Sequence, residues 1–277
     1  MATRQSGPAV TSGRRVDVRR PWEPLAWVAA GCVVFFVVPW VGVDLLELEP
    51  DLYYLAYFTV AVAFLAGFVR THRAALATWW TTNLVPSLLV GAAVGLLLVG
   101  RVLGESATRH PGGGRFAFEI VWRGLVYGSV DACVLYVFPA AVAWVLMGGD
   151  RGGRRRKLQY AGLAVGLSLL VTAAYHLGYP EYRGELLRYP AIGAVAANIP
   201  TTVTGNALGA LLAHPAMHLA AVVHLYEGSG EHLLPPRVGA DYAARGSAGW
   251  AVGLGLAWLA LASAGALLLW WRGRRRD

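Results

Sequence analysis

The residues best suited to chemistry in this chain are ionisable groups set among apolar neighbours. Glu119 and Arg123 lie four positions apart, roughly 40° around a helix of 3.6 residues per turn, so their charges can pair on one face. Such a pair can be a structural ion pair at a membrane edge or a carboxylate held for proton transfer, and spacing alone leaves both readings open. Asp131 sits further along the same run, about 18 Å from Glu119 at 1.5 Å per residue, as either a packing partner or a relay acid. Another apolar run closes on Ala-Ala-Tyr175-His176. The segment His214-Pro-Ala-Met-His218 places two imidazoles at i and i+4, one turn apart, where both can reach one atom or one substrate group. His224 falls on a different face. The chain has no His-Glu-x-x-His, no Gly-x-Ser-x-Gly and no phosphate-binding glycine loop, so a zincin-type helix, a serine hydrolase and an NTPase all lack their signatures. Cys32 and Cys133 both lie in apolar stretches and cannot build a disulfide framework or a cysteine zinc cluster.

The elements that must position these residues are membrane spans. The 277 residues are 56% hydrophobic and 14% charged with mean hydropathy +0.49, which excludes a disordered chain, a secreted disulfide scaffold and an ordinary soluble enzyme. A hydrocarbon core of roughly 30 Å requires about 20 helical residues. Runs of that order occupy Leu25–Val43, Leu52–Val69, Ala74–Val99, Phe116–Met147 and Leu158–Leu177, with a kink expected in the third at Asn83 and Pro86. Pro200, Gly205 and Asn206 divide the next apolar stretch into a short helix over Ala191–Thr204 and a fuller one over Ala207–Leu225, and Trp250–Trp271 forms the last. The expectation is an all-α polytopic membrane protein of about eight transmembrane helices in one bundle.

Of the 24 basic residues all but Lys157 are arginines, giving a formal charge of +8 that reads as membrane topology and not as a nucleic-acid surface. The arginines of residues 1–21, the Arg70/Arg73 loop, the Arg151–Lys157 loop and the tail Arg272–Arg276 all fall on one side of an eight-span chain. That predicts a multi-pass protein of the cell membrane with both termini cytoplasmic. The loop bearing Arg101, Arg109 and Arg115 against Glu105 is the one misfit. Residues 1–21 read as a disordered basic arm, 22–277 as the transmembrane domain, and the first apolar run as a retained anchor. Trp22, Trp27, Trp79, Trp80, Trp270 and Trp271 are expected at the headgroup level.

The order of these motifs resembles the CPBP (Abi/CAAX protease-like) family of intramembrane proteases. Phe118-Glu119-Ile120-Val121-Trp122-Arg123-Gly124 is similar to its first motif, Glu-Glu-x-x-x-Arg-Gly. Ala-Ala-Tyr175-His176 resembles the second, Phe-x-x-x-His, and His214-Pro-Ala-Met-His218 the third, His-x-x-x-Asn, over a core of about residues 116–226. The resemblance implies a peptidase that cleaves a membrane-associated peptide or protein. Glu119 would activate water with His176, His214 and His218 would stabilise the oxyanion, and Arg123 would hold Glu119. Three positions depart from the pattern: Phe118 replaces the first glutamate, Thr172 the phenylalanine and His218 the asparagine. They leave open a catalytically inactive relative acting as a scaffold or immunity-type protein. His176, His214 and His218 also form a candidate zinc site with Glu119 as base. A transporter using Asp131, Glu119 and the break at Pro200–Asn206 is a further alternative.

Overall fold

In the computed structural model, residues 22–109 and 112–226 and the single residue Ala257 are described. Among them every regular element is helical. Five helices are long and apolar enough to cross a bilayer: α1 (Trp22–Leu45), α2 (Pro50–Leu76), α3 (Leu84–Leu103), α4 (Gly113–Leu146) and α5 (Gly153–Leu177). After two short turns come α6 (Arg188–Ala197), α7 (Ile199–Thr204) and α8 (Ala210–His224). The sixth expected span is thus two short helices, and the seventh is a helix of 15 residues. The eighth span, the N-terminal arm and the tail lie outside the described residues.

Exposed apolar and buried surfaces separate by helix. In the most apolar stretch of α4, 83% of residues are buried, against 28–33% in α1, α2, α3 and α5, so α4 is the central rod and the others are a half-exposed wall. Val33, Val62, Leu89, Leu96, Leu97 and Leu170 point outward, as a bilayer solvent requires.

The expected kink at Asn83 is a full break. Asn83 adopts left-handed φ/ψ (54°, 31°), a conformation asparagine tolerates better than most residues, and its side-chain amide donates to the Thr204 carbonyl at 2.7 Å. The helix therefore ends at Leu76 and restarts at Leu84. The tryptophan belt also needs correction. Trp22 is exposed as expected, but Trp79 is fully buried and its indole N–H donates to Tyr160 Oη at 3.1 Å, because a turn inside the bundle gives the ring a protein partner. The loop that misfits the charge pattern is rich in ion pairs. Arg101 pairs with Glu105, and Arg115 belongs to α4, where it pairs with Asp51 and Glu119, so most of that loop's positive charge is neutralised within the fold.

Two wide turns, Ile120–Val126 and Cys133–Val137, interrupt the regular winding of α4. Pro139 has no N–H to offer the Leu135 carbonyl, and Ser168 Oγ from α5 fills the vacancy at 2.5 Å, supported by Asn198 Nδ2 at 2.8 Å. Gly124 and Gly128, one turn apart, let α8 lie directly against the α4 backbone. A Cβ at Gly128 would stand 2.8 Å from Pro215 Cα and 3.1 Å from His218 Cβ. Gly128→Val is accordingly expected to destabilise the bundle by about 1–3 kcal/mol, the usual range for overpacking, read as a lower thermal midpoint in detergent.

Candidate functional site

The close approach of α4 and α8 brings Asp131 to the histidine pair. His218 Nε2 lies 3.0 Å from His214 Nε2, and His214 Nε2 lies 3.9 Å from Asp131 Oδ2. All three residues are buried, and one ligand atom from each lies within 4.8 Å of the others, so the group could hold a metal ion. Tyr136 Oη, 3.4 Å from His214 Nδ1, closes one side. His218 Nδ1 is buried without a hydrogen-bond partner among the described residues, a vacancy that a ligand atom or water can fill.

His176 is not one of the three clustered ligands. Its Nδ1 is 2.8 Å from the Thr172 carbonyl. A carbonyl only accepts, so Nδ1 carries the proton and Nε2 is the free acceptor. The ring packs edge-on against Tyr175 and Tyr182.

Asp131 is anchored from the other side by a phenol. Tyr57 donates to Asp131 Oδ1 at 2.6 Å. Tyr175 bonds Tyr127 at 2.8 Å and stacks on the Tyr57 ring at 5.3 Å between centroids, Tyr179 donates to Tyr175 at 2.6 Å, and Tyr53 meets Tyr179 at 2.5 Å. α2 and α4 each contribute a step of one turn, Tyr53 and Tyr57, and Tyr127 and Asp131, while Tyr175 on α5 is joined by Tyr179 in the turn just past its end. Sequence reasoning missed this network, although the i, i+4 tyrosines in apolar spans were its signal. Tyr175 is its junction. Tyr175→Phe removes one hydroxyl that serves two others, and an expected loss of about 1–3 kcal/mol follows from leaving buried partners unsatisfied. Chemical or thermal unfolding in detergent measures it.

Glu119 is engaged elsewhere. It is fully buried and pairs with Arg115 and with Arg123, whose Nε is 3.4 Å from Glu119 Oε2, and Arg115 also reaches Asp51 at 3.3 Å. The Arg123 guanidinium stacks between the rings of Tyr54 and Tyr226, 5.8 and 5.4 Å from their centroids. No contact joins Glu119 to His176, His214 or His218 among the described residues. The expected Glu119–Arg123 pair therefore forms, while the carboxylate standing at the histidines is Asp131. Phe118 stacks on Trp122 in the core.

In the break at Pro200–Asn206, the Asn206 side chain is likewise committed to structure. Asn206 Nδ2 donates to the carbonyls of Trp79 and Thr82 at 3.1 and 2.8 Å, and Asn206 Oδ1 accepts the Leu208 N–H at 2.8 Å. Ser87 Oγ donates to the Asn206 carbonyl and accepts from the Gly209 N–H. These bonds satisfy the side chain that a transporter site would offer to a substrate.

Comparison of the chain with protein-family models, with curated proteins and with solved structures returns no match. The likeness to CPBP proteases rests on the three short motifs.

Proposed function

We propose that the protein is a hydrolase of the CPBP intramembrane-peptidase type, cleaving a membrane-associated peptide or protein at the Asp131–His214–His218 cluster. The observation that carries the reading is the convergence of a carboxylate and two imidazoles from α4 and α8 in a buried site, beside an unpartnered His218 Nδ1. Asp131 is the group placed to accept a proton from water. His214 and His218 are placed to hold that water or to donate to the oxyanion, with His176 Nε2 as a nearby acceptor. Arg123 and Arg115 hold Glu119 and so fix the first half of α4.

The same residues fit a zinc ion. Two of their three donor separations, 3.0 and 3.9 Å, bracket the edge of roughly 3.3 Å expected for a tetrahedron with bonds near 2.0 Å, and the third lies within 4.8 Å. Asp131, His214 and His218 would be the ligands, and zinc would supply Lewis acidity that makes bound water nucleophilic at neutral pH. Elemental analysis of the purified protein tests the fit. About one zinc per chain is expected in the wild type and none after His214→Ala combined with His218→Ala.

Phe118 supports a second reading, a non-catalytic scaffold or immunity-type protein of the same fold. An aromatic ring stacked on Trp122 occupies the position of the family's first glutamate. A wild type that binds no metal and cleaves no reporter, but does cleave after Phe118→Glu, would establish this reading over the first. In either case we place the protein in the cell membrane with the Arg151–Lys157 loop and both termini in the cytoplasm. Alkaline phosphatase, which folds only after export, is expected to be active when fused after Glu47 and inactive when fused after Lys157. The reverse pattern would invert the topology.

A further inference from the structure

A cleft of ≈ 490 Å³ opens at the opposite end of α5 from Tyr179, between the N-terminal turns of α5, the α2–α3 break and α7. Its chemistry is one-sided. Arg151 and Lys157 line it with the hydroxyl-bearing Tyr160, Thr201 and Thr202, and no carboxylate is among its lining residues. Asp150, the nearest acid in sequence, is occupied by Arg156 at 3.2 Å and by the Gly152 N–H at 2.7 Å. Arg151 is held rigid. It donates to the Gly205 carbonyl, and its guanidinium lies over the rings of Trp144 and Tyr160, at 4.9 and 5.3 Å from their centroids.

A second, independent feature points to a ligand. Thr201 Oγ1, on a fully buried residue of the cleft lining, has no hydrogen-bond partner among the described residues. A buried hydroxyl in that state costs free energy unless something binds it. Pro86, Val90 and Val203 supply an apolar border beside the polar floor, and Val203 is among the exposed apolar residues of the outer wall. The cleft lies where helices α2, α3, α5 and α7 end, beside the arginine-rich run Arg154, Arg155 and Arg156. Basic pockets at such helix ends suit lipid headgroups.

We infer that this cleft is a binding site for the phosphate group of an anionic phospholipid. Arg151 and Lys157 neutralise the phosphate, Thr201 donates to one of its oxygens, and an acyl chain leaves across Pro86, Val90 and Val203. The site is separate from Asp131, His214 and His218, so it stands whether or not the protein hydrolyses peptides.

Native mass spectrometry and thermal unfolding of the full chain in detergent test the inference with three probes: dioleoylphosphatidylglycerol, dioleoylphosphatidylcholine and inorganic phosphate. Phosphatidylglycerol is expected to remain bound and to raise the unfolding midpoint, with the other two doing neither. Lys157→Gln should weaken phosphatidylglycerol retention about 5-fold, the effect of removing one basic contact to an anionic lipid. Thr201→Val, nearly isosteric, should weaken retention while leaving the lipid-free protein as stable as before or more so, since it deletes an unpaired buried hydroxyl. Equal retention of phosphatidylcholine, or unchanged retention in both variants, would overturn the assignment. Stabilisation by inorganic phosphate equal to that by phosphatidylglycerol would also overturn it, in favour of a soluble anion.

Discussion

Asp131→Asn is expected to lose bound zinc and to lower hydrolysis of a peptide reconstituted with the protein in vesicles by at least about 10², the lower end for loss of a general base and a loss that removal of a metal ligand would match. The substitution keeps volume and planar shape. The amide retains an oxygen to accept the Tyr57 hydroxyl at the position where Asp131 Oδ1 now accepts it at 2.6 Å, so the protein should still fold. What disappears is the negative charge facing His214 Nε2. Glu119→Gln is the necessary companion, because the resemblance to CPBP proteases gives Glu119 the base's role. With Glu119 paired to Arg115 and Arg123, its conversion to an amide should leave zinc content unchanged and show itself chiefly as lower thermal stability. If Glu119→Gln stops cleavage at normal abundance and metal content while Asp131→Asn does not, the base is Glu119 and the site proposed around Asp131 fails.

The second large effect concerns Arg123. Arg123→Met is expected to cost about 3–5 kcal/mol, the range for removing one partner of a buried ion pair. Glu119 keeps Arg115, but that residue is shared with Asp51, so two buried carboxylates would depend on one guanidinium. The Arg123 stacking on Tyr54 and Tyr226 is lost as well. Combining Arg123→Met with Glu119→Gln removes the stranded charge and should recover a large part of the loss, as replacing a whole buried pair often does. Unfolding midpoints of the four proteins in one detergent form the cycle. A loss below about 1 kcal/mol in Arg123→Met would mean that Arg115 alone compensates Glu119.

Features set by neighbouring residues were legible in the chain. Apolar runs of span length announced the five long helices, because the cost of exposing backbone to lipid is paid within each segment. The Glu119–Arg123 pair and the His214–His218 pair were readable for the same reason, since i and i+4 meet on any helix. The same rule applied one turn earlier would have paired Arg115 with Glu119. Where a helix stops was less legible. Asn83 and Pro86 signalled a bend, and it took the bond from Asn83 to the Thr204 carbonyl to make it a break.

Which carboxylate meets the histidines could not be read from spacing, because the choice depends on how far α8 slides along α4. That position is set where Gly124 and Gly128 admit Leu219, Pro215 and His218 against the backbone, a steric fit between segments some ninety residues apart. It delivers α8 to Asp131 and leaves Glu119 to the arginines. The tyrosine network has the same origin. Only the packed bundle puts the Tyr57 hydroxyl of α2 on Asp131 of α4, and the Tyr127 hydroxyl of α4 on Tyr175 of α5. Helix formation and membrane insertion depend on short-range periodicity and transfer energy, whereas a site assembled between helices depends on shape, which takes both surfaces to define.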